Sequence, residues 1–433
     1  RSNFQPKIPD RNPAEGKDES ISREPEAIEA YRDTWQLGIH SYLTYVRARL
    51  VACRELLAPS GCLFFQIGND NVHRVRAVLD EVFGAENAVA SIAVQKSGSA
   101  TSSLLPEVLD YVLWYSRDRS LFTDRFRPLF EPFDMRDLDT RNYRYIEEPS
   151  GERRLMTVEE KENPASIVRG CRPYQLITAT SQDPSRTRSG PYKFEGRDYW
   201  PDKNQGKKRH WSLAVPEGLD RLAEIGRLEV LGDTLRIVRY LDDFPVLLLK
   251  NVWLDTGRSG FGDEQRYVVQ TNSKVVERCL LMATEPGDLV LDPTCGSGTT
   301  AWCSEKHGRR WITVDTSRVA IAVARERLLT ARFQFYELVD DIRGVDAGLR
   351  YETVRRLQPS DLAGDRPGVE VPLRNNPRVD SSRVRVSGPF TVEGLSRYSD
   401  NPFDHGSDEE VSHEAAADHV TALLDALTTM GIP

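Results

Sequence analysis

Residues 289–300 read LVLDPTCGSGTT and combine an apolar run, a glycine-containing turn and the start of a helix. The apolar residues 289–291 predict a short buried strand. Gly296 and Gly298 let the backbone approach a ligand without a Cβ atom in the way, and Thr299 or Thr300 can cap the following helix. A Gly-x-Gly turn alone indicates a ligand only weakly, because such turns also occur where nothing binds.

A second feature, an acid after the next apolar run, makes the pattern more specific. Residues 311–314 predict a strand that ends in Asp315, about twenty residues beyond the turn, where a carboxylate can accept hydrogen bonds from both hydroxyls of a ribose. Ala301 stands where a dinucleotide fingerprint has its third glycine, which favours an adenosyl ligand without phosphate over a nicotinamide dinucleotide. An ordinary Rossmann-type turn without a ligand is the alternative. The expected ligand-binding residues are Asp292, Pro293, Thr294, Cys295, Gly296, Ser297, Gly298, Thr299, Thr300, Asp315, Thr316 and Ser317.

The composition is that of a soluble protein of two or three domains. The 433 residues are 39% hydrophobic and 29% charged, with a formal net charge of −8. No apolar run is long enough to cross a membrane. The six cysteines are scattered without a CxxC pair, which indicates reduced thiols in a cytoplasmic protein and no structural metal.

Hydrophobic periodicity divides the chain into four segments. Residues 1–117 contain a helical pattern over 28–57, strands at 62–67, 88–95 and 108–115, and a helix at 72–83, which together predict half of a doubly wound α/β sheet. The run 62–67 is continuously apolar, as in strands of a parallel sheet. Residues 118–250 have weak periodicity and read as an insert, 251–332 supply the other half-sheet, and 333–433 form a C-terminal extension that is partly linker. The extension offers a strand pair within 383–392 and either an amphipathic helix or a linker at 412–427.

The stretch DPTCGSGTTAWCSEKHGRRWITVDTS (292–317) resembles the S-adenosylmethionine-binding motif of DNA amino-methyltransferases. The order of segments resembles their beta class, in which a catalytic half-sheet, a target-recognition domain and a cofactor half-sheet follow one another. Residues 56–96, 107–117, 252–257 and 270–288 are similar to further segments of that class. The resemblance implies a permuted Rossmann-like methyltransferase sheet with an inserted recognition domain. It also implies that Thr271, Asn272 and Ser273 lie near the methionine end of S-adenosyl-L-methionine.

The sequence departs from that family at the catalytic motif. The tetrapeptide Asp-Pro-Pro-Tyr, or Ser-Pro-Pro followed by an aromatic, is absent from the printed sequence. In the family it precedes a polar loop like residues 3–26, so we expect it before Arg1 and expect this chain alone to be inactive. The flanking motifs favour adenine N6 over cytosine N4, and a non-catalytic DNA-binding subunit that requires S-adenosylmethionine is the alternative. No Pro-Cys pair is present for carbon-5 methylation, and Cys295 is expected to be a packing residue.

Residues 186–210 are the candidate DNA-reading segment. They carry eight basic residues against three acidic ones, with aromatic residues between them, in a chain that is acidic overall. Such a segment suits contacts with phosphates and stacking on bases of double-stranded DNA, although a solvated basic loop is the alternative. The resemblance also implies a restriction subunit or a second copy of the chain as a partner. The residues expected to contact DNA are Arg186, Arg188, Lys193, Arg197, Tyr199, Trp200, Lys203, Lys207, Lys208 and Arg209.

Overall fold

The computed structural model describes residues 39–96, 104–257 except 204 and 206, and 271–394. Contacts divide the chain into two compact units. The α/β unit comprises residues 1–127, 250–350 and 379–433, and the insert unit comprises 128–249 and 351–378. Part of the segment that the sequence analysis treated as one C-terminal extension therefore belongs to the insert unit.

The helices and strands of both units are numbered along the chain. The helices are α1 (Ile39–Leu56), α2 (Val72–Phe83), α3 (Arg119–Thr123), α4 (Val158–Glu162), α5 (Glu217–Glu224), α6 (Ser273–Ala283), α7 (Thr299–Lys306), α8 (Arg318–Thr330) and α9 (Pro359–Ala363). The strands are β1 (Cys62–Gly68), β2 (Ala88–Gln95), β3 (Leu109–Ser116), β4 (Phe130–Pro132), β5 (Tyr145–Glu147), β6 (Arg153–Leu155), β7 (Arg172–Thr178), β8 (Thr180–Gln182), β9 (Tyr192–Phe194), β10 (Arg197–Tyr199), β11 (Arg209–Trp211), β12 (Leu228–Leu231), β13 (Thr234–Tyr240), β14 (Val246–Leu248), β15 (Val252–Trp253), β16 (Leu289–Asp292), β17 (Arg310–Thr313), β18 (Arg332–Tyr336), β19 (Tyr351–Arg356), β20 (Val369–Pro377) and β21 (Val379–Val386).

The first half of the α/β unit is a four-stranded sheet in the order β1-β3-β2-β15. The predicted strands at 62–67, 88–95 and 108–115 and the predicted helix at 72–83 are confirmed. Helices α1 and α2 bury Val46, Leu50 and Leu79 against Leu113 and Tyr115 of β3, as their three- and four-residue spacing requires. The expectation of parallel pairing for β1 is wrong, because β1 pairs antiparallel with β3. A continuous apolar run reports burial on both faces of a strand and does not determine the direction of its neighbours.

The second half of the α/β unit is built around the glycine turn. Strands β16 and β17 are parallel and are joined through α7, with Leu289 opposite Arg310. Within the described residues they form a separate two-stranded sheet, so the strands do not make one continuous sheet. An ion pair of 2.6 Å between Arg125 and Asp288 ties this half to the chain that follows β3. The predicted α/β class is confirmed.

The insert unit centres on a five-stranded antiparallel sheet in the order β12-β13-β7-β5-β6. Helix α5 packs Leu219 and Leu222 against Trp211 and Ile237, and all four are almost fully buried. Leu362, next to the end of α9, packs against the same cluster. The return segment 351–378 is therefore part of the hydrophobic core of this unit.

The C-terminal residues of the α/β unit form a strand pair that the sequence analysis did not anticipate. Strand β21 pairs antiparallel with β18, so the predicted local strand pair within 383–392 is wrong. Arg385 of β21 donates to the carboxylate of Glu305 on α7 at 2.7 Å. The predicted helix or linker at 412–427 lies outside the described residues. None of the helices in the described segments has the length and apolarity of a membrane span.

Candidate functional site

The glycine turn between β16 and α7 requires a left-handed backbone at two positions. Gly296 has φ +50° and Gly298 has φ +71°, values that L side chains rarely adopt. A Cβ atom on Gly298 would lie 2.7 Å from the Cβ of Ala324 on α8. Glycine is therefore needed at 298 for close packing of two helices, whereas the sequence analysis attributed it to the approach of a ligand.

Asp315 joins the two strand ends at the turn. Its Oδ2 accepts a hydrogen bond from the backbone N–H of Gly296 at 2.8 Å, and its Oδ1 accepts from the N–H of Ser317 at 2.9 Å. Ser317 in turn caps α8 by accepting from the N–H of Ala320. A carboxylate has about four acceptor positions, so each oxygen of Asp315 keeps capacity for a further donor.

Asp292 holds the same turn from the end of β16. Its Oδ1 accepts from the N–H of Thr294 at 3.0 Å and its Oδ2 from the hydroxyl of Thr300 at 2.6 Å. The N-cap residue of α7 is Gly298, which has no side chain to cap with, and Thr299 accepts instead from Arg327 at 3.0 Å. The expectation that Thr299 or Thr300 caps this helix is therefore wrong.

The turn residues divide by exposure. Pro293 and Thr294 are exposed at its tip and Thr316 is exposed after β17, whereas Cys295, Ser297 and Thr299 are buried. The side chains of the buried three face the protein interior, which leaves them only their backbone for ligand contact. Burial, with the neighbouring Asp315 carboxylate, raises the pKa of Cys295 to about 12. A thiol of this kind is a packing group and a poor nucleophile.

Thr271, Asn272 and Ser273 lead into α6. The hydroxyl of Thr271 donates to Oε1 of Gln66 at 2.8 Å, and Nδ2 of Asn272 donates to the carbonyl of Thr256 at 3.0 Å. The Ser273 carbonyl lies 3.7 Å from Sγ of Cys303, in the second turn of α7. These contacts bring the start of α6 beside the helix that follows the glycine turn.

Asp255 lies in the segment 252–257, which resembles the family, but it was not among the residues expected to bind a ligand. Its two oxygens accept from the buried guanidinium of Arg278 at 2.8 Å each, and it also pairs with Lys274. Burial alone raises the pKa of Asp255, but the hydrogen bonds from Arg278 and Lys274 outweigh it and lower the pKa to about 2. This ionised acid fixes the residues before α6 to the helix itself.

The basic segment of the insert unit contains a loop closed by Asp202. One carboxylate oxygen of Asp202 accepts from the backbone N–H groups of Lys208 and Arg209, both at 2.8 Å. Trp200, two residues before Asp202, is 37% exposed. The exposed basic residues of the segment are Arg186, Lys193, Arg197, Lys203, Lys207 and Lys208.

Three of the residues expected to contact DNA make contacts within the insert unit. Tyr199 is 6% exposed and belongs to the core of the insert unit, so its ring cannot stack on a base without leaving that core. Arg188 donates to the carbonyl of Ser212 at 3.3 Å, and Arg209 donates to the hydroxyl of Thr180 at 3.1 Å. The expectation of a base-stacking role for Tyr199 is corrected on this ground.

A strand, a left-handed glycine turn, a helix and a parallel strand ending in an acid define the class of α/β proteins that bind a nucleoside at the carboxyl ends of their strands. The comparison with known families agrees with this class. The model of the N6_N4_Mtase family, described as DNA methylase, matches residues 29–326. The chain belongs to this family. The match confirms the resemblance to DNA amino-methyltransferases, a family whose cofactor is S-adenosylmethionine.

Individual relatives are more distant. The type II methyltransferase M.EcaI of Enterobacter cloacae is 26% identical over 303 residues, covering 67% of this chain and 58% of the relative. A probable type III restriction-modification enzyme HindVI Mod subunit of Haemophilus influenzae is 21% identical over 328 residues, covering 66% of this chain and 44% of the relative. The chain thus spans about half the length of these relatives.

Two solved structures are similar over comparable lengths. The M1.HpyAVI–SAM complex has a TM-score of 0.32 and 12% identity, and the match covers 66% of this chain and 83% of that one. PvuII DNA methyltransferase (cytosine-N4-specific) has a TM-score of 0.31 and 13% identity, and the match covers 67% of this chain and 71% of that one.

Proposed function

We propose that this chain is the cofactor-binding and DNA-binding part of a methyltransferase that transfers a methyl group from S-adenosylmethionine to N6 of adenine in double-stranded DNA. The observation that carries the proposal is the carboxylate of Asp315, held 2.8 Å from the Gly296 N–H at the end of β17. From this position it can accept hydrogen bonds from a ribose. The name of the Mod subunit relative supports a restriction-modification setting with a restriction subunit as partner, and a second copy of the chain is the alternative partner.

The residues present fit an adenosyl ligand. A dinucleotide fingerprint has a third glycine for close packing of the helix on the strand, whereas this chain has Ala301 at that position. The half-buried Asp315 supplies the acceptor that a ribose requires, and the exposed Pro293 and Thr294 flank the turn. Asp292 and Asp315 fix the turn from both strands, so the binding edge is ordered before a ligand arrives.

When bound, S-adenosylmethionine supplies a methyl group on a sulfonium, which is transferred in line to the exocyclic nitrogen, leaving S-adenosylhomocysteine and a released proton. The amine is a weak nucleophile because its lone pair is delocalised into the ring, so an acceptor for its hydrogens is required. The printed sequence contains no tetrapeptide for that role. The residues of this chain accordingly bind and orient the two substrates.

The Asp202-closed loop is the proposed DNA contact. Trp200 provides an exposed ring for stacking, and Lys203, Lys207 and Lys208 provide charges for phosphates. Asp202 accepts hydrogen bonds from two backbone N–H groups, which close the loop. These bonds engage its carboxylate, although it lies among the lysines.

The absence of the tetrapeptide from the printed sequence leaves a second candidate, a non-catalytic DNA-binding subunit that requires S-adenosylmethionine. Cytosine N4 is the alternative target for the enzyme. Nucleoside analysis of DNA incubated with the protein and S-adenosylmethionine distinguishes the three candidates, since it yields N6-methyladenine, N4-methylcytosine or neither.

Calorimetric titration of the full chain tests the cofactor assignment. We expect heat from S-adenosylmethionine and S-adenosylhomocysteine and none from NAD. Asp315→Ala should weaken binding about tenfold or more, because it removes charge-assisted hydrogen bonds. Asp365→Ala, an exposed acid in the insert unit, is the control and should bind as the unmodified chain does. Absence of heat from both adenosyl ligands would reject the proposal.

A further inference from the structure

Four polar side chains form a continuous hydrogen-bonded row at the edge where β1 and β2 end. The hydroxyl of Thr271 donates to Oε1 of Gln66 at 2.8 Å. Nε2 of Gln66 donates to Oδ2 of Asp110 at 3.4 Å, and Nζ of Lys96 lies 3.3 Å from Oδ1 of the same carboxylate. The sequence analysis selected only Thr271 from this row.

The register of the sheet places three of these side chains on one face. Gln66 is opposite Val112, and Asp110 is opposite Gly68, so Gln66 and Asp110 are diagonal neighbours across β1 and β3. Asp110 is also opposite Val94 of β2, two residues before Lys96. The row is thus a product of strand alternation, and Asp110 at its centre keeps only 17% of its side chain exposed.

The hydrogen-bond directions along the row are determined by chemistry. A carboxylate paired with a lysine can only accept, so the group that Gln66 turns towards Asp110 must be its NH2. The carbonyl oxygen of Gln66 then faces Thr271 and can only accept. The hydroxyl of Thr271 must therefore donate to Gln66, which leaves its own oxygen as an acceptor for any ligand.

The position of Thr271 is restricted by the hydrogen bonds of its neighbour Asn272. Asn272 caps α6 by accepting from the N–H of Lys274 at 2.9 Å and donates to the Thr256 carbonyl at 3.0 Å. Thr256 is itself held by a 3.0 Å hydrogen bond from its hydroxyl to the carbonyl of Gln95, the last residue of β2. Asn272, the residue before the helix, is therefore held both by α6 and, through Thr256, by the end of β2.

We propose that Asp110, acting through Gln66, is a positioning residue that presents the Thr271 oxygen as an acceptor for the α-ammonium group of the cofactor's methionine end. The inference rests on the proposed function, because the Ser273 carbonyl lies 3.7 Å from Sγ of Cys303 and so brings the start of α6 beside the helix that follows the ligand-binding turn. An ammonium can only donate hydrogen bonds, whereas a carboxylate can only accept them. The row thus selects the amine over the carboxylate at this position.

Titration of the full chain with S-adenosylhomocysteine and with 5′-methylthioadenosine, which lacks the amino-acid end, tests the proposal. Gln66→Leu and Thr271→Val should each weaken the binding of S-adenosylhomocysteine about threefold to tenfold, which is the contribution of one hydrogen bond. The affinity for methylthioadenosine should not change. The double variant should be no weaker than either single variant. Asp110→Asn should produce the same selective loss, because an asparagine can donate to Gln66 and let its amide turn over.

Asn69→Ala is the matched control, since Asn69, directly after β1, donates to Glu107 at 2.9 Å. It should leave both affinities unchanged. A desamino analogue of S-adenosylhomocysteine should bind the unmodified chain and Gln66→Leu equally well. Equal losses of affinity for S-adenosylhomocysteine and methylthioadenosine, or no loss of affinity in Gln66→Leu, would overturn the inference while leaving the proposed function intact. Absence of binding to the unmodified chain would instead reject the proposed function.

Discussion

The guanidinium of Arg227 and the carboxylate of Asp243 form a bidentate ion pair inside the insert unit, with N–O distances of 2.8 and 2.9 Å. The side chain of Arg227 is 10% exposed and that of Asp243 is 4% exposed. Asp243 also accepts from the backbone N–H of Tyr240 at 2.9 Å. Asp243 therefore neutralises the buried charge of Arg227 and also accepts a hydrogen bond from the last residue of β13.

Removing the acid of this pair should destabilise the insert unit strongly. Asp243→Ala leaves a buried guanidinium unpaired, which costs about 3–5 kcal/mol of unfolding free energy. Urea denaturation followed by tryptophan fluorescence measures the change. Asp365→Ala is the control, because Asp365 is 84% exposed in its ion pair with Arg221 and should change stability by less than about 1 kcal/mol. Similar losses in the two variants would contradict the role assigned to the buried pair.

Gly298→Ala should destabilise the α/β unit by about 2–4 kcal/mol, since it adds a steric overlap with Ala324 to the strain of a left-handed backbone. Gly196→Ala separates the two effects. Gly196 has a similar φ of +81° with no atom within 4 Å of the added Cβ, so only strain of about 1 kcal/mol remains. Thermal unfolding of both variants gives the comparison, and equal shifts in Tm would show that helix packing does not require a glycine at 298.

Asp255 should make stability depend on pH in the acid range. Its folded-state pKa, about 2, lies below the ordinary value of 3.8. Its contribution is therefore complete above about pH 5 and is lost as the pH falls from about 4 to about 2. The stability difference between the unmodified chain and Asp255→Asn should shrink over that interval. A difference for Asp255→Asn that stays constant over that interval would refute the assignment.

DNA binding should depend on Trp200 and on the lysines of the Asp202-closed loop. Trp200→Ala should weaken binding about tenfold, within the usual range for one stacked base. Each of Lys203→Ala and Lys207→Ala should lower the slope of log affinity against log salt by about one. Fluorescence anisotropy with duplex DNA at several salt concentrations measures both quantities.

Lys161→Ala is the control for the loop lysines, because Lys161 is an exposed lysine on α4, outside the loop. Its salt slope should match that of the unmodified chain. An unchanged slope for Lys203→Ala and Lys207→Ala would place the DNA contact elsewhere.

Local patterns predicted much of the α/β unit. Strand β2 and helix α2 have the predicted bounds. Each packs one face against the hydrophobic core, and this produces the regular spacing of apolar residues that the prediction used. The glycine turn and Asp315 were also predictable, since both depend on residues less than twenty-five positions apart. The assignments of individual ligand contacts, DNA contacts and domain functions stay predictions.

Features that depend on distant pairing were not predictable. The β18–β21 pair joins strands about fifty residues apart, and the row from Lys96 to Thr271 exists only through the antiparallel register of β3 with its two neighbours. Tyr199 and Trp200 are adjacent aromatic residues, and only the packing of the insert unit determines that the first is buried and the second is exposed. A composition argument cannot separate such neighbours.

The polypeptide passes between the two units at four points, after residues 127, 249, 350 and 378. An excision of residues 128–249 would remove the five-stranded sheet of the insert unit but leave behind Leu362, which packs on its core. Exchange of the insert unit between related proteins by recombination at one pair of breakpoints would therefore yield chimeras with an exposed apolar surface. Grafts that carry 351–378 together with 128–249 avoid that defect.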